Sequence, residues 1–174
     1  MTKRTHTEIV EEQLSKLHKP RLPLSVVVHN IRSLHNVGSI FRTADGAGVE
    51  KIWLCGTTGY PPQGAITKTA LGAEQHVDWE YRQDARGLIE QLRSQGTQIV
   101  LLEQTKGSVL YSNFEPHPPV CLVLGNEIQG VADDLVGLSD AAIEIPMQGI
   151  KNSLNVAVAF GIVAYHLRFK LNVN

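Results

Sequence analysis

A chain of 174 residues with 43% hydrophobic side chains is enough for one domain that buries roughly two thirds of its unfolded surface. The longest apolar run, Val156 to Tyr165, is about half of what a membrane span requires, and Met1 to His18 is polar rather than a charged-then-apolar leader. The net charge of −1 gives no overall footprint for nucleic acid, so RNA contacts would come from local clusters (Lys3-Arg4, Lys16 to Arg21, Arg32) or from a groove shared by two subunits.

Taken in order, Glu8 to His18 fits an amphipathic helix with Val10, Leu14 and Leu17 on one face and a Glu12–Lys16 pair on the other, ended by Pro20 and Pro23. Leu24 to His29 reads as the first strand and Asn30-Ile-Arg-Ser as its turn. From Asn36 onward, Val37, Ile40, Phe41 and Ala44 recur at helical spacing, and Gly46 and Gly48 close that helix before a strand at Lys51 to Cys55. Gly38 and Arg42 share a side of this helix away from the apolar stripe. A glycine beneath an arginine leaves room for a bulky partner to reach the backbone while the guanidinium grips it. The plainer alternative is an Arg42–Asp45 surface pair.

Gly56 to Gly64 is a long loop, a plausible lid or substrate rim. A short helix at Ala65 to Ala73, a strand at Val77 to Tyr81 with Trp79 buried, an amphipathic helix at Ala85 to Gln95 and a strand at Thr97 to Leu102 follow. That strand ends in the polar Glu103-Gln104-Thr105. Val120 to Leu124 then runs into Gly125-Asn-Glu-Ile-Gln-Gly130, a short helix spans Val131 to Leu138, and a strand spans Ala141 to Ile145. Pro146 and Gly149 bend the next loop, and Lys151-Asn152-Ser153 offers capping residue types for a helix from Leu154 to Lys170. That helix is apolar on nearly every face, which predicts burial all round, against its own sheet and a second subunit. Alternating strands and helices without repeats argue a mostly parallel sheet flanked by helices, whose ligands bind beyond the carboxyl ends of the strands.

Common chemistries fail on their signatures. No phosphate-binding glycine pattern follows the first strand, the seven histidines lack metal-ligand spacing, and no nucleophile elbow is present. Cys55 and Cys121 sit in apolar strand-like runs, which predicts buried free thiols and a reducing cytoplasm. Three glycine-containing loops after three strands remain, carrying Asn36 and Arg42, Asn126 and Glu127, and Ser153 and Asn155 among apolar residues. Apolar walls, free amides and a few polar groups suit a neutral-to-cationic heterocycle better than a polyphosphate.

Asn30-Ile-Arg-Ser-Leu-His-Asn-Val-Gly-Ser-Ile-Phe-Arg-Thr-Ala44 resembles motif 1 of the SPOUT-class RNA ribose methyltransferases of the TrmH/SpoU family. Leu124-Gly-Asn-Glu-Ile-Gln-Gly-Val131 resembles their motif 2, and Ile145-Pro-Met-Gln-Gly-Ile-Lys-Asn-Ser-Leu-Asn-Val-Ala-Val-Ala159 their motif 3. The likeness spans about Leu24 to Leu167. It implies an α/β SPOUT-type domain at 24–174, deeply trefoil-knotted and preceded by a helical extension at 1–23. It also implies a homodimer, and S-adenosyl-L-methionine as donor of a methyl group to a ribose 2′-hydroxyl of RNA, tRNA being favoured over rRNA, with no metal and no membrane.

By position in those motifs, the catalytic residues would be Arg42, Asn36, Glu127, Ser153 and Asn155. The cofactor would touch Leu102, Glu103, Leu124, Gly125, Asn126, Ile145, Met147, Ser153 and Leu154. A permanently charged arginine is a poor base, so Arg42 would hold the neighbouring phosphate and stabilise charge on the 2′-oxygen. Plainer roles exist too: Glu127 as a helix-start carboxylate, Ser153 as a cap, and Asn155 satisfying backbone groups where its helix starts. Competing readings are a non-catalytic RNA- or cofactor-binding protein of the same fold, and a different α/β enzyme acting on a small nucleoside.

Overall fold

The computed structural model describes residues 2–15 and 20–171. Helix α1 (His6–Leu14) is started by Thr5, whose hydroxyl accepts from the Glu8 amide while the Glu8 carboxylate accepts from the Thr5 amide. It buries no residue: Leu14 is exposed and Val10 is half-buried. The later part of the predicted helix, including Lys16 and Leu17, lies outside the described residues. Glu12 meets Arg4 at 2.7 Å.

Among the described residues seven strands form one sheet: β1 (Leu22–His29), β2 (Val49–Cys55), β3 (Asp78–Arg82), β4 (Gln98–Leu102), β5 (Val109–Leu110), β6 (Val120–Leu124) and β7 (Ala141–Glu144). Their order is β3-β2-β1-β6-β4-β7-β5 and every pairing between them is parallel. Side chains alternate between faces, which sorts the core into two layers. Val26, Val28, Ile52, Leu122 and Ile143 pack under α2 (Leu34–Ala47), α3 (Gly64–Ala70) and α6 (Val156–Lys170). Val27, Ile99, Leu101, Cys121 and Val123 pack under α4 (Ala85–Ser94) and α5 (Asp133–Val136). A sheet covered on both faces accounts for strands as uniformly apolar as Val-Cys-Leu-Val-Leu124, all five residues of which are buried.

The crevice lies where the chain parts. β1 leads to α2 on one face, whereas its neighbour β6 leads to α5 on the other, so the loops after them splay apart at the carboxyl end of the sheet. Cys55 and Cys121 are buried and free, as expected, and burial raises their thiols to about 12 and about 11. No helix among the described residues is long and apolar enough to cross a membrane.

Two expectations about elements are corrected. β5 has two residues inside the polar stretch between Thr105 and Pro119, too short to show a period. Trp79 is only half-buried because β3 is an edge strand. Helix α6 is covered by its own chain along one side: Ala157, Phe160, Val163, Ala164 and Leu167 face the core, while Val158 (53%), Ile162 (36%), Tyr165 (43%) and Phe169 (76%) stay exposed along the other.

Candidate active site

The carboxyl ends of β4, β6 and β7 open into a cavity of about 500 Å³. Leu102 and Glu103 enter it from the end of β4, Leu124 to Gly130 from the end of β6, and Ile145, Met147 and Asn152 to Asn155 from the loop after β7. All nine residues expected at a cofactor line it: Leu102, Glu103, Leu124, Gly125, Asn126, Ile145, Met147, Ser153 and Leu154.

Backbone contact builds the floor. A Cβ on Gly125 would stand 2.2 Å from the Val131 nitrogen and from the Gly130 carbonyl carbon, so only glycine allows these segments to meet. The Glu103 carboxylate accepts from the Val131 amide at 2.9 Å and from the Gln104 amide at 2.9 Å. Asn126 folds its own loop: its side-chain oxygen accepts from the Ile128 and Gln129 amides at 2.9 and 3.1 Å, and its Nδ2 donates to the Asn30 carbonyl at 2.8 Å. Gln104 Nε2 donates to the Asn152 carbonyl at 2.6 Å, joining the loops after β4 and β7.

A second set of bonds ties the cavity to α2. Glu127 accepts from the Arg32 amide (3.2 Å), the Ser33 amide (3.3 Å) and Asn36 Nδ2 (3.0 Å). Asn36 Oδ1 in turn accepts from Asn155 Nδ2 at 3.0 Å, and Asn155 Oδ1 accepts from the Ala157 and Val158 amides at the start of α6. One chain of bonds thus joins the β6 loop to the N-termini of α2 and α6. Burial alone would raise the Glu127 carboxyl, but the bonds from its own amide, Arg32, Asn36 and Ser33 outweigh it and hold the group below its ordinary 4.5.

These contacts correct several local expectations. The cap of α6 is Asn155, not Lys151-Asn152-Ser153; Ser153 is exposed on the cavity wall with no hydrogen bond among the described residues. Glu127 serves the start of α2 rather than a helix of its own. Gly38 is buried, and a Cβ there would meet Thr69 Oγ1 at 2.0 Å and the Ile66 carbonyl at 2.3 Å. The space beneath Arg42 is therefore filled by α3 and open to no outside partner. Asp45 pairs with Arg21 at 3.4 Å rather than with Arg42.

Arg42 stands apart from the cavity. It is exposed, has no side-chain partner among the described residues, and does not line the wall. It sits one turn before Gly46 on the same side of α2, and a Cβ on Gly46 would be 2.8 Å from the Tyr165 hydroxyl. Arg42 therefore lies one turn along α2 from the point where Tyr165 of the exposed α6 stripe meets that helix.

The profile of the SpoU rRNA Methylase family matches residues 23–165, most of the chain. The chain belongs to that family. It is 33% identical over 165 residues to the tRNA (guanosine(18)-2'-O)-methyltransferase of Aquifex aeolicus (strain VF5), covering 90% of this chain and 76% of that protein. The solved A. aeolicus TrmH/SpoU tRNA modifying enzyme superposes with a TM-score of 0.81 at 31% identity, over 93% of this chain and 84% of that one. An AdoMet-bound rRNA methyltransferase from Sinorhizobium meliloti superposes with a TM-score of 0.80 at 31% identity, over 87% of this chain and 58% of that one.

In this SpoU-family chain the cavity wall carries, among the described residues, three carboxylates, Glu103, Glu127 and Glu144, and no lysine, arginine or histidine. Such a wall favours a ligand with positive charge and disfavours polyphosphates. Glu144 and Ala159 are wall residues that the sequence alone did not single out. Glu144 had a signal in hindsight: an acidic residue ends an apolar strand, where its carboxylate accepts from Ser108 Oγ. No group of three or more His, Cys, Asp or Glu side chains among the described residues could hold a metal.

Proposed function

We propose that this protein methylates a ribose 2′-hydroxyl of RNA with S-adenosyl-L-methionine as donor, and that its substrate is tRNA rather than rRNA. The acidic, apolar-walled cavity supports this reading above any other single observation. The donor is a cation with an aromatic base, and Leu102, Leu124, Ile145, Met147 and Leu154 offer walls for the base while the carboxylates offset the positive charge. When bound it supplies a methyl group on a positively charged sulfur. The tRNA preference rests on the A. aeolicus relative, most of whose length the chain covers.

The protein acts as a homodimer in this proposal, and the two copies complete each other's sites. Val158, Ile162, Tyr165 and Phe169 recur at i, i+4, i+7 and i+11, a continuous apolar stripe that a second copy would cover. Arg42 lies one turn along α2 from the contact with that stripe and off its own cavity, so docking along α6 carries it toward the partner's. There it holds the phosphate beside the target ribose and stabilises negative charge developing on the 2′-oxygen, an effect worth about 10²–10³ in rate. The proton leaves to phosphate or water. Asn36, Glu127 and Asn155 hold the rim in place, and the unengaged Ser153 hydroxyl is available to the substrate or donor.

The trefoil knot belongs to the same reading. After β6, the chain forms β7 beyond β4 and then returns along α6 to pack on α2. Residues 1–23 are an extension of the 24–174 methyltransferase domain, and the buried free thiols fit a reducing cytoplasm. Ribose-methylation mapping across total RNA, with and without this gene, tests the function: one tRNA position should lose its mark. An unchanged tRNA profile beside a lost rRNA mark would reverse the substrate preference, and no lost mark anywhere would defeat the activity.

A further inference from the structure

The proposed activity needs an RNA chain to reach an acidic cavity, so something beside it must attract phosphate. Six of the eight arginines are already engaged. Of the eight, Arg4, Arg82, Arg86 and Arg93 pair with Glu12, Glu80, Glu90 and Asp140. Arg21 binds Asp45 and the His76 carbonyl, and Arg168 binds the Ala47 carbonyl at 2.7 Å. Only Arg32 and Arg42 have side chains with no partner among the described residues. Arg42 already has a role; Arg32 has none.

Arg32 is exposed, but its backbone is fixed at the cavity rim, where its amide donates to Glu127. The segment it belongs to is laced to the loop after β2. Asn30 Oδ1 accepts from the Thr57 amide at 2.9 Å, and the Ile31 amide donates to the buried Thr58 hydroxyl at 3.0 Å. A Cβ on Gly59 would lie 2.2 Å from Leu34 Cδ2. Two neighbouring segments therefore run side by side along the carboxyl end of the sheet, one presenting Arg32 and the other Tyr60.

Tyr60 is 44% exposed, yet it is held on two aromatic neighbours. Its ring stacks on Trp79 at 6.4 Å and 28° and lies 4.7 Å from Tyr81, whose hydroxyl donates to the Gly56 carbonyl. A tyrosine fixed in this way offers its open side without further ordering cost. Rigid exposed rings and free guanidinium groups are the two chemistries that recognise unstacked RNA, through bases and phosphates respectively.

We propose that Arg32 and Tyr60 form a substrate subsite outside the donor cavity, in which Arg32 grips a phosphate flanking the target nucleotide and a neighbouring unstacked base lies on Tyr60. This rests on the RNA methyltransferase reading above. The test uses the full-length protein and an unmodified tRNA transcript pool, with filter binding over a potassium chloride series and methyl-transfer kinetics. Tyr60→Ala should weaken RNA binding and raise KM for RNA roughly tenfold, and Tyr60→Phe should restore both. Arg32→Gln should lower the slope of log affinity against log salt by about one phosphate's share, which a merely structural residue would not do. Stabilisation by S-adenosyl-L-methionine in a thermal-shift assay should be the same in all variants. Unchanged RNA affinity in Tyr60→Ala, or an unchanged salt slope in Arg32→Gln, would overturn the subsite. Failure of the wild type to methylate any RNA would instead strike the activity, with the binding series still deciding the subsite.

Discussion

Asn36 and Arg42 stand on the same helix and meet opposite surroundings. Asn36 is bonded on both sides, to Glu127 and Asn155, inside a network that one chain completes by itself. Arg42, on the other side of α2, faces solvent one turn from where that helix meets an apolar stripe that one chain leaves bare. The contrast separates what a single copy can finish, the cavity and its rim, from what we propose a second copy must add. It also divides α6 lengthwise, with Phe160 fully buried on one side and Phe169 76% exposed on the other.

The two faces of α6 should respond differently to truncation. Phe160→Ala should cost about 3–5 kcal/mol by thermal or urea unfolding at every protein concentration. Phe169→Ala should do little to a monomer and should instead weaken the dimer in sedimentation equilibrium, lowering the unfolding midpoint by an amount that depends on protein concentration. Equal, concentration-independent losses would erase the distinction between core and contact faces.

Next in size is the reaction itself. Arg42→Lys keeps the charge but not the fork, and should lower single-turnover methylation by roughly a hundredfold or more while calorimetry gives an unchanged donor affinity. Near-wild-type turnover would remove Arg42 from the chemistry.

Smallest is the rim. Glu127→Gln keeps the shape and loses the charge, and, for so exposed a group, should destabilise the protein by only about 1 kcal/mol at neutral pH. The Glu127 carboxyl is held below 4.5 in the folded state, so its contribution is complete above that value and is lost as the pH falls through the folded pKa. The variant should therefore show a flatter acid limb below about pH 4.5 than the wild type. An identical acid limb would mean that the Arg32, Ser33 and Asn36 bonds are not made in solution.

What the sequence made legible follows from locality. The cavity wall was readable because its three loops are contiguous runs, each ending a strand, and all nine expected contact residues lie on it. The place of Arg42 was not, because helical spacing tells which residues share a face but not what covers it. For the same reason the space beside Gly38 read as open when α3 fills it. Asn155 was legible as the cap of α6, since its Oδ1 accepts from amides two and three residues on, whereas its bond to Asn36 lies in no local pattern. β5 escaped because two residues carry no period.

The shared site has one direct test: subunit mixing between Arg42→Ala and a cavity-filling Ala159→Trp, each inactive alone. If Arg42 of one protomer serves the cavity of its partner, the heterodimer regains one working site, and an equimolar exchanged mixture should recover about a quarter of wild-type methylation. Heterodimers seen by native mass spectrometry without any recovered methylation would contradict it.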